Sequence, residues 1–123
     1  MEKPYTGPTI FARSNANGTL DFREAGGAEV ASIKSELDNN LWRHFTFMKR
    51  GLIYLIFIGG ELDNSESRNF GTARINDERI ILGANQANRK VQNYNGHLDD
   101  LRIYSRALSD ADVKALYEFE RVK

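Results

Sequence analysis

The chain has 123 residues, no cysteine, and equal counts of Lys+Arg and Asp+Glu, 17 of each. A single domain of this length buries about two-thirds of its unfolded surface, and balanced charge leaves no net field to draw in nucleic acid or an anionic membrane. Without cysteine there is neither a disulfide framework nor a thiol nucleophile.

From the N-terminus onward, the residues read as short strands between turn formers. Met1–Pro8 lacks the apolar run of a secretion signal and is expected to fray. Thr9–Arg13 and Thr19–Arg23 predict two strands joined by a hairpin loop, Ser14–Gly18. Val30–Lys34, after Gly26-Gly27, predicts a third. Leu41–Met48 predicts a strand with Phe45 and Phe47 on one face and Trp42, His44 and Met48 on the other. Both faces carry large apolar groups, as in the inner part of a sandwich. Lys49–Gly51 turns the chain into Leu52–Ile58, an apolar run too short to span a membrane that reads as a buried strand.

Gly60–Gly71 is expected to be a polar loop with Asp63–Arg68 at its tip. Ile75, Arg79–Gly83 and His97–Tyr104 supply the remaining predicted strands. In the last of these, His97, Asp99, Leu101 and Ile103 point one way, and Leu98, Asp100, Arg102 and Tyr104 the other. Asp99 thus shares a face with apolar neighbours, an unusual place for a free carboxylate. Ser109–Phe119 predicts the one helix, capped by Ser109. Asp112 completes a short-armed capping box, and Leu108 and Val113 take the staple positions. Turns spaced about ten residues apart and a single terminal helix predict an all-β antiparallel sandwich. With no repeat, linker or low-complexity run, residues 1–123 form one domain, and Glu120–Lys123 are expected to fray.

Motifs for catalysis are sparse. The sequence holds no Gly-x-Ser-x-Gly, no phosphate-cradling glycine loop and no His-x-x-x-His spacing. His44 and His97 both fall in predicted strands, and for His44, beside Trp42, a packed strand residue rather than a base is the expected role. Binding chemistry concentrates instead in Asn85, Gln86, Asn88, Gln92, Asn93 and Tyr94. Amide side chains donate and accept at once, which suits sugar hydroxyls, and the Tyr94 ring could stack on a pyranose face. The same asparagines also suit β-turns.

Residues 96–118 resemble the closing motif of the laminin G-like, concanavalin A-like domains. The matching residues are Gly96-His97-Leu98-Asp99-Asp100-Leu101-Arg102-Ile103-Tyr104, then Arg106-Ala107-Leu108-Ser109, then Leu116-Tyr117. Upstream, Leu41-Trp42-Arg43-His44-Phe45 is similar to the family's Trp-x-His strand. Leu52–Gly60 is similar to the strand that usually ends in Tyr-Val-Asp-Gly, with Gly59 standing where the family has Asp. Ile80-Ile81-Leu82-Gly83 is similar to the strand that follows.

The resemblance implies a concanavalin A-like jelly roll, most directly a lectin-like carbohydrate-recognition module acting outside the cell; the lack of a carboxylate pair on one predicted strand makes it a non-catalytic one. Asp99 corresponds to an aspartate that often helps to hold a structural calcium through side-chain and backbone oxygens; the alternative is a carboxylate that accepts backbone N–H groups of the Asn93–Gly96 turn. Glycosidases on related jelly rolls present Glu-x-Asp-x-x-Glu or Glu-x-Asp-x-Glu along one strand. Glu61 and Asp63, like Asp77 and Glu78, are expected in polar loops, so no predicted strand offers that arrangement.

Compared with the family, this chain is shortened on its N-terminal side, and the strands that open such domains are expected to be missing. One of them normally pairs with the strand matching His97–Tyr104, so that edge is either bare, covered by Met1–Pro8 or the Ser109–Phe119 helix folding back, or completed by another chain's strand. A protein-interaction or assembly module is therefore the rival to carbohydrate recognition. A homodimer built across the same edge is the expected oligomer.

Overall fold

The computed structural model describes residues 10–24, 29–67 and 96–121. Strands β1 (Ile10–Ser14), β2 (Leu20–Glu24) and β3 (Glu29–Ala31) form one antiparallel sheet, in that order. Strands β4 (Phe45–Arg50), β5 (Ile53–Ile58) and β6 (Glu61–Ser67) form a second. Helix α1 (Asp110–Glu120) follows near the C-terminus. Antiparallel sheets with a single short helix make this an all-β sandwich, as the strand spacing predicts. The expected strands at Ile75 and Arg79–Gly83 lie outside the described residues. No described helix is long and apolar enough to cross a membrane.

The predicted hairpin forms with its loop at Asn15–Thr19. Asn15 N donates to Thr19 O at 2.8 Å and Gly18 N to Asn15 O at 3.0 Å. The Asn17 carboxamide oxygen accepts from Thr19 N at 3.1 Å, an Asx turn that explains why asparagine suits this tip. β3 ends earlier than the predicted Val30–Lys34: Ser32 N still donates to Leu20 O of β2 at 2.7 Å, but the two amides after it turn away from the ladder. Ile33 N and Lys34 N donate to the two oxygens of Asp63, at 2.6 and 3.2 Å. Asn64 reinforces this crossing between sheets by donating to Ala31 O at 2.7 Å.

β5 is the centre of the structure. Tyr54 to Ile58 are all buried, so this strand has no solvent face. Tyr54, Ile56 and Ile58 pack with Phe22, Val30 and Leu37 of the first layer, joined by Phe45 and Phe47. Leu55 and Phe57 point the other way, into a second cluster with Met48, Leu108 and Val113. The β4–β6 sheet is therefore covered on one side by the β1–β3 sheet and on the other by α1 and the chain leading into it. Phe45 and Phe47 face one layer and Met48 the other, matching the predicted alternation. The staple residues Leu108 and Val113 meet in the helix-side cluster, as expected.

Three expectations fail. Glu61–Ser67 is strand β6 rather than a polar loop, paired with β5 from Ile58↔Glu61 to Ile53↔Ser67. Its polarity disguised it; as the last strand of its sheet among the described residues, it can carry polar side chains. His97–Tyr104, in contrast, is not a strand. Asp100 has φ +53°, which breaks the extended run, and among the described residues the segment joins neither sheet. Leu41–His44 also stays outside β4, which begins at Phe45.

The β5–β6 connection is a tight two-residue turn. Gly59 and Gly60 have φ +62° and +79°, the backbone that such hairpins demand. Gly60 is further constrained by α1, because a Cβ there would meet the Tyr117 ring at 2.9 Å. Replacing Gly60 with Ala adds about 1–2 kcal/mol of left-handed strain to that clash. Urea unfolding of Gly60→Ala should show a loss of at least this size, and an unchanged midpoint would contradict the seating of Tyr117 on the turn.

Candidate functional site

The outer face of the β4–β6 sheet is built from three pieces: the lead-in Leu41–His44, the segment Gly96–Tyr104, and α1. Glu120, in the last turn of the helix, fastens all three. One of its oxygens lies 3.0 Å from His44 Nε2, and the other accepts from Arg102 Nε at 2.7 Å. The Glu120 side chain is only 8% exposed, so two partners hold a carboxylate that burial alone would expel. The bond to Glu120 raises the Arg102 pKa above its ordinary value. His44 also packs against Tyr117, with ring centroids 5.7 Å apart. It is thus the packed imidazole expected from the sequence, although it lies outside a strand.

Trp42 departs from expectation. Its predicted place is an inner strand, whereas it is 71% exposed. His97 stands beside it, ring centroids 6.3 Å apart and inclined by 38°. Leu98, Leu101 and Ile103 are each at least 60% exposed as well. Asp99 consequently does not sit on a buried apolar face. It is exposed, and its Oδ1 accepts from Asp100 N at 2.8 Å; Asn93–Asn95 of the preceding turn lie outside the described residues. Among the described residues no group of three or more His, Asp or Glu side chains converges. Calcium takes six to eight oxygen ligands, and the residues just ahead of this segment, 68–95, lie outside the described residues. Asn85, Gln86, Asn88, Gln92, Asn93 and Tyr94 lie outside the described residues.

β6 corrects the reading of the carboxylates. Glu61-Leu62-Asp63-Asn64-Ser65-Glu66 runs as Glu-x-Asp-x-x-Glu along a strand, with a register irregularity beside Asp63. Glu61 pairs with Ile58 and Glu66 with Tyr54, so both stand on the face turned toward the β1–β3 sheet. The spacing would have been visible had β6 been recognised as a strand. Asp63, between them, has both oxygens engaged by Ile33 N and Lys34 N. It serves as a brace between layers.

The sequence matches the concanavalin A-like lectin/glucanases superfamily over residues 5–114. The chain belongs to this superfamily. Among solved structures, this superfamily member is similar to an S-layer domain-containing protein (residues 221–444) from Clostridium thermocellum ATCC 27405. The identity is 20% and the TM-score 0.49, with 95% of this chain covered; the chain spans 66% of that structure's length. No curated protein matches the sequence.

The helix cap adds a titrating element to the outer face. Asp112 N donates to Ser109 Oγ at 3.1 Å, and Ser109 N donates back to Asp112 Oδ2 at 3.2 Å. The Ser109 backbone bond lowers the Asp112 pKa, helped by the Ser109 hydroxyl and, more weakly, by Arg106. A lowered carboxyl pKa contributes stability above the ordinary aspartate value of about 3.9, and this is lost as pH falls through the folded value. Carbon-detected NMR should find Asp112 titrating below the ordinary value. Ser109→Ala should cost about 1 kcal/mol in denaturant unfolding, and Asp112→Asn should remove this acid-range contribution.

Proposed function

We propose that the protein is a non-catalytic carbohydrate-binding module whose glycan stacks on Trp42 at the outer face. The observation that carries this reading is an indole left 71% exposed, flanked by His97. A large aromatic exposed to water beside a polar ring offers an apolar sugar face its stacking surface and offers hydroxyls a hydrogen-bonding neighbour. Membership of a lectin/glucanase superfamily supports the same class of ligand. Asn93 and Tyr94, expected to bind sugar, lie just upstream of His97 in the sequence. Polysaccharide ligands are presented outside cells, and we place the module's action there.

The non-catalytic part of the reading is supported by how β6 sets its carboxylates. Both oxygens of Asp63 are bound to backbone N–H groups, and Glu61 and Glu66, the remaining pair that a glycosidase would need, stand on the face turned toward the β1–β3 sheet. A glycan array followed by calorimetry tests binding: Trp42→Ala should weaken the best array hit about tenfold or more with an unchanged circular dichroism spectrum. Incubation with β-glucans tests catalysis. Hydrolysis by the native chain that disappears in Glu61→Gln or Glu66→Gln would overturn the non-catalytic reading.

A second reading is favoured by Gly96–Tyr104, where Leu98, Leu101 and Ile103 are exposed, as is Leu41 ahead of β4. Several large apolar side chains left in water on one segment suit burial against another chain. On this reading the protein is an assembly module that forms a homodimer. Light scattering should then give twice the 14.0 kDa chain mass, and Leu101→Asp with Ile103→Asp should return it to a single chain. A dilution-independent mass of one chain would sink the dimer.

A further inference from the structure

We infer that a cleft between the Tyr104–Leu108 segment and α1 is a second sugar subsite, distinct from Trp42. The inference rests on the carbohydrate reading above. The cleft has a volume of about 330 Å³, at the small end of ligand sites. Leu108, Ala115 and Leu116 supply its apolar lining, Tyr104 and Phe119 its rings, and Arg106 and Asp112 its charges.

The helix shows why this gap exists. Val113, Leu116, Tyr117 and Glu120 are the residues of α1 turned toward the sheet, at the spacing of an inward stripe. Asp112, Ala115 and Phe119 form the neighbouring stripe, which is exposed. Ala115 is the small residue in its middle, so the space between Asp112 and Phe119 stays open. Phe119 is 70% exposed and therefore contributes nothing to the core.

The chemistry of the walls selects the ligand. Arg106 Nη1 and Asp112 Oδ2 lie 3.8 Å apart, so their charges offset one another and favour neither an anion nor a cation. Together they still present several donors and acceptors at one rim. An apolar floor, two exposed rings and a neutral but polar rim suit a neutral hexose, which has apolar CH faces and hydroxyl edges. The site is also held in place before a ligand arrives. Asp112 is fixed by the helix cap, and Arg102, two residues before Tyr104, is fastened to Glu120. Pre-positioned walls reduce the ordering cost of binding.

The test is a titration followed by ¹H–¹⁵N NMR, using glucose, galactose, mannose and N-acetylglucosamine separately as probes. At least one of them should shift the amide signals of Tyr104, Arg106, Ala115 and Phe119. Ala115→Leu fills the gap with another strong helix former, and Phe119→Ala removes an exposed ring, so both variants should fold. Each should weaken the cleft response about threefold to tenfold and leave responses at Trp42 and His97 intact. Shifts confined to Trp42 and His97, or an unchanged cleft response in Ala115→Leu, would overturn the second subsite and leave the module's carbohydrate function standing. No shift with any sugar, together with an array signal absent or indifferent to Trp42→Ala, would overturn both.

Discussion

A strand with no polar side dictates the rest of this structure. From Tyr54 to Ile58 every residue of β5 is buried, alternating between two apolar clusters. Fully burying one such side chain is worth about 1.5–3 kcal/mol, so neither face of the sheet can be left open to water. The β1–β3 sheet covers one face. The other requires a cover of its own, and the helix supplies it through Leu108 and Val113. The outer face carrying Trp42, His44 and α1 is thus a consequence of how apolar β5 is.

The fasteners between layers are polar and few. Asp63 spans two backbone amides beyond β3, and Arg50 donates to Leu108 O at 2.7 Å just before the helix begins. Arg50 also reaches Asp110 at 2.9 Å, an acidic residue of the first turn that suits the positive end of the helix dipole. At the opposite end Glu120 is placed against that dipole, since an acid in the last turn is disfavoured. Arg102 and His44 compensate. Their contacts also decide where the Gly96–Tyr104 segment lies, and with it the positions of His97 and Tyr104 on the candidate binding face.

Local chemistry was legible in the sequence, and pairing was not. The Ser14–Gly18 hairpin and the Ser109 cap appear as expected because their signals lie within five residues and depend on no distant partner. The alternation of Phe45, Phe47 and Met48 survived for the same reason: strong apolar residues choose a face by burial. β6 was missed because Glu61–Ser67 is as polar as a loop, and only its hydrogen bonds to β5 make it a strand. His97–Tyr104 failed in the opposite sense, since its alternation reads as a strand while Asp100 turns to positive φ. Trp42 shows the same limit at the candidate site. Its residue type suggests a core, and nothing local reveals that it stands in solvent beside a residue 55 positions away.

The order of the strands has a consequence for how the chain reaches this state. Each described sheet is a meander of consecutive strands, β1-β2-β3 and β4-β5-β6, linked within the second sheet by turns of two residues. Pairing inside either meander closes only short loops, which keeps the entropic barrier low and the search fast. The long-range steps are the docking of one meander on the other through Asp63 and the arrival of α1 over Leu55 and Phe57. Until the helix arrives, half of β5 faces water. The slow interval of folding is therefore also the interval in which the chain is most prone to self-association, and it ends only when the final described element of the sequence has packed.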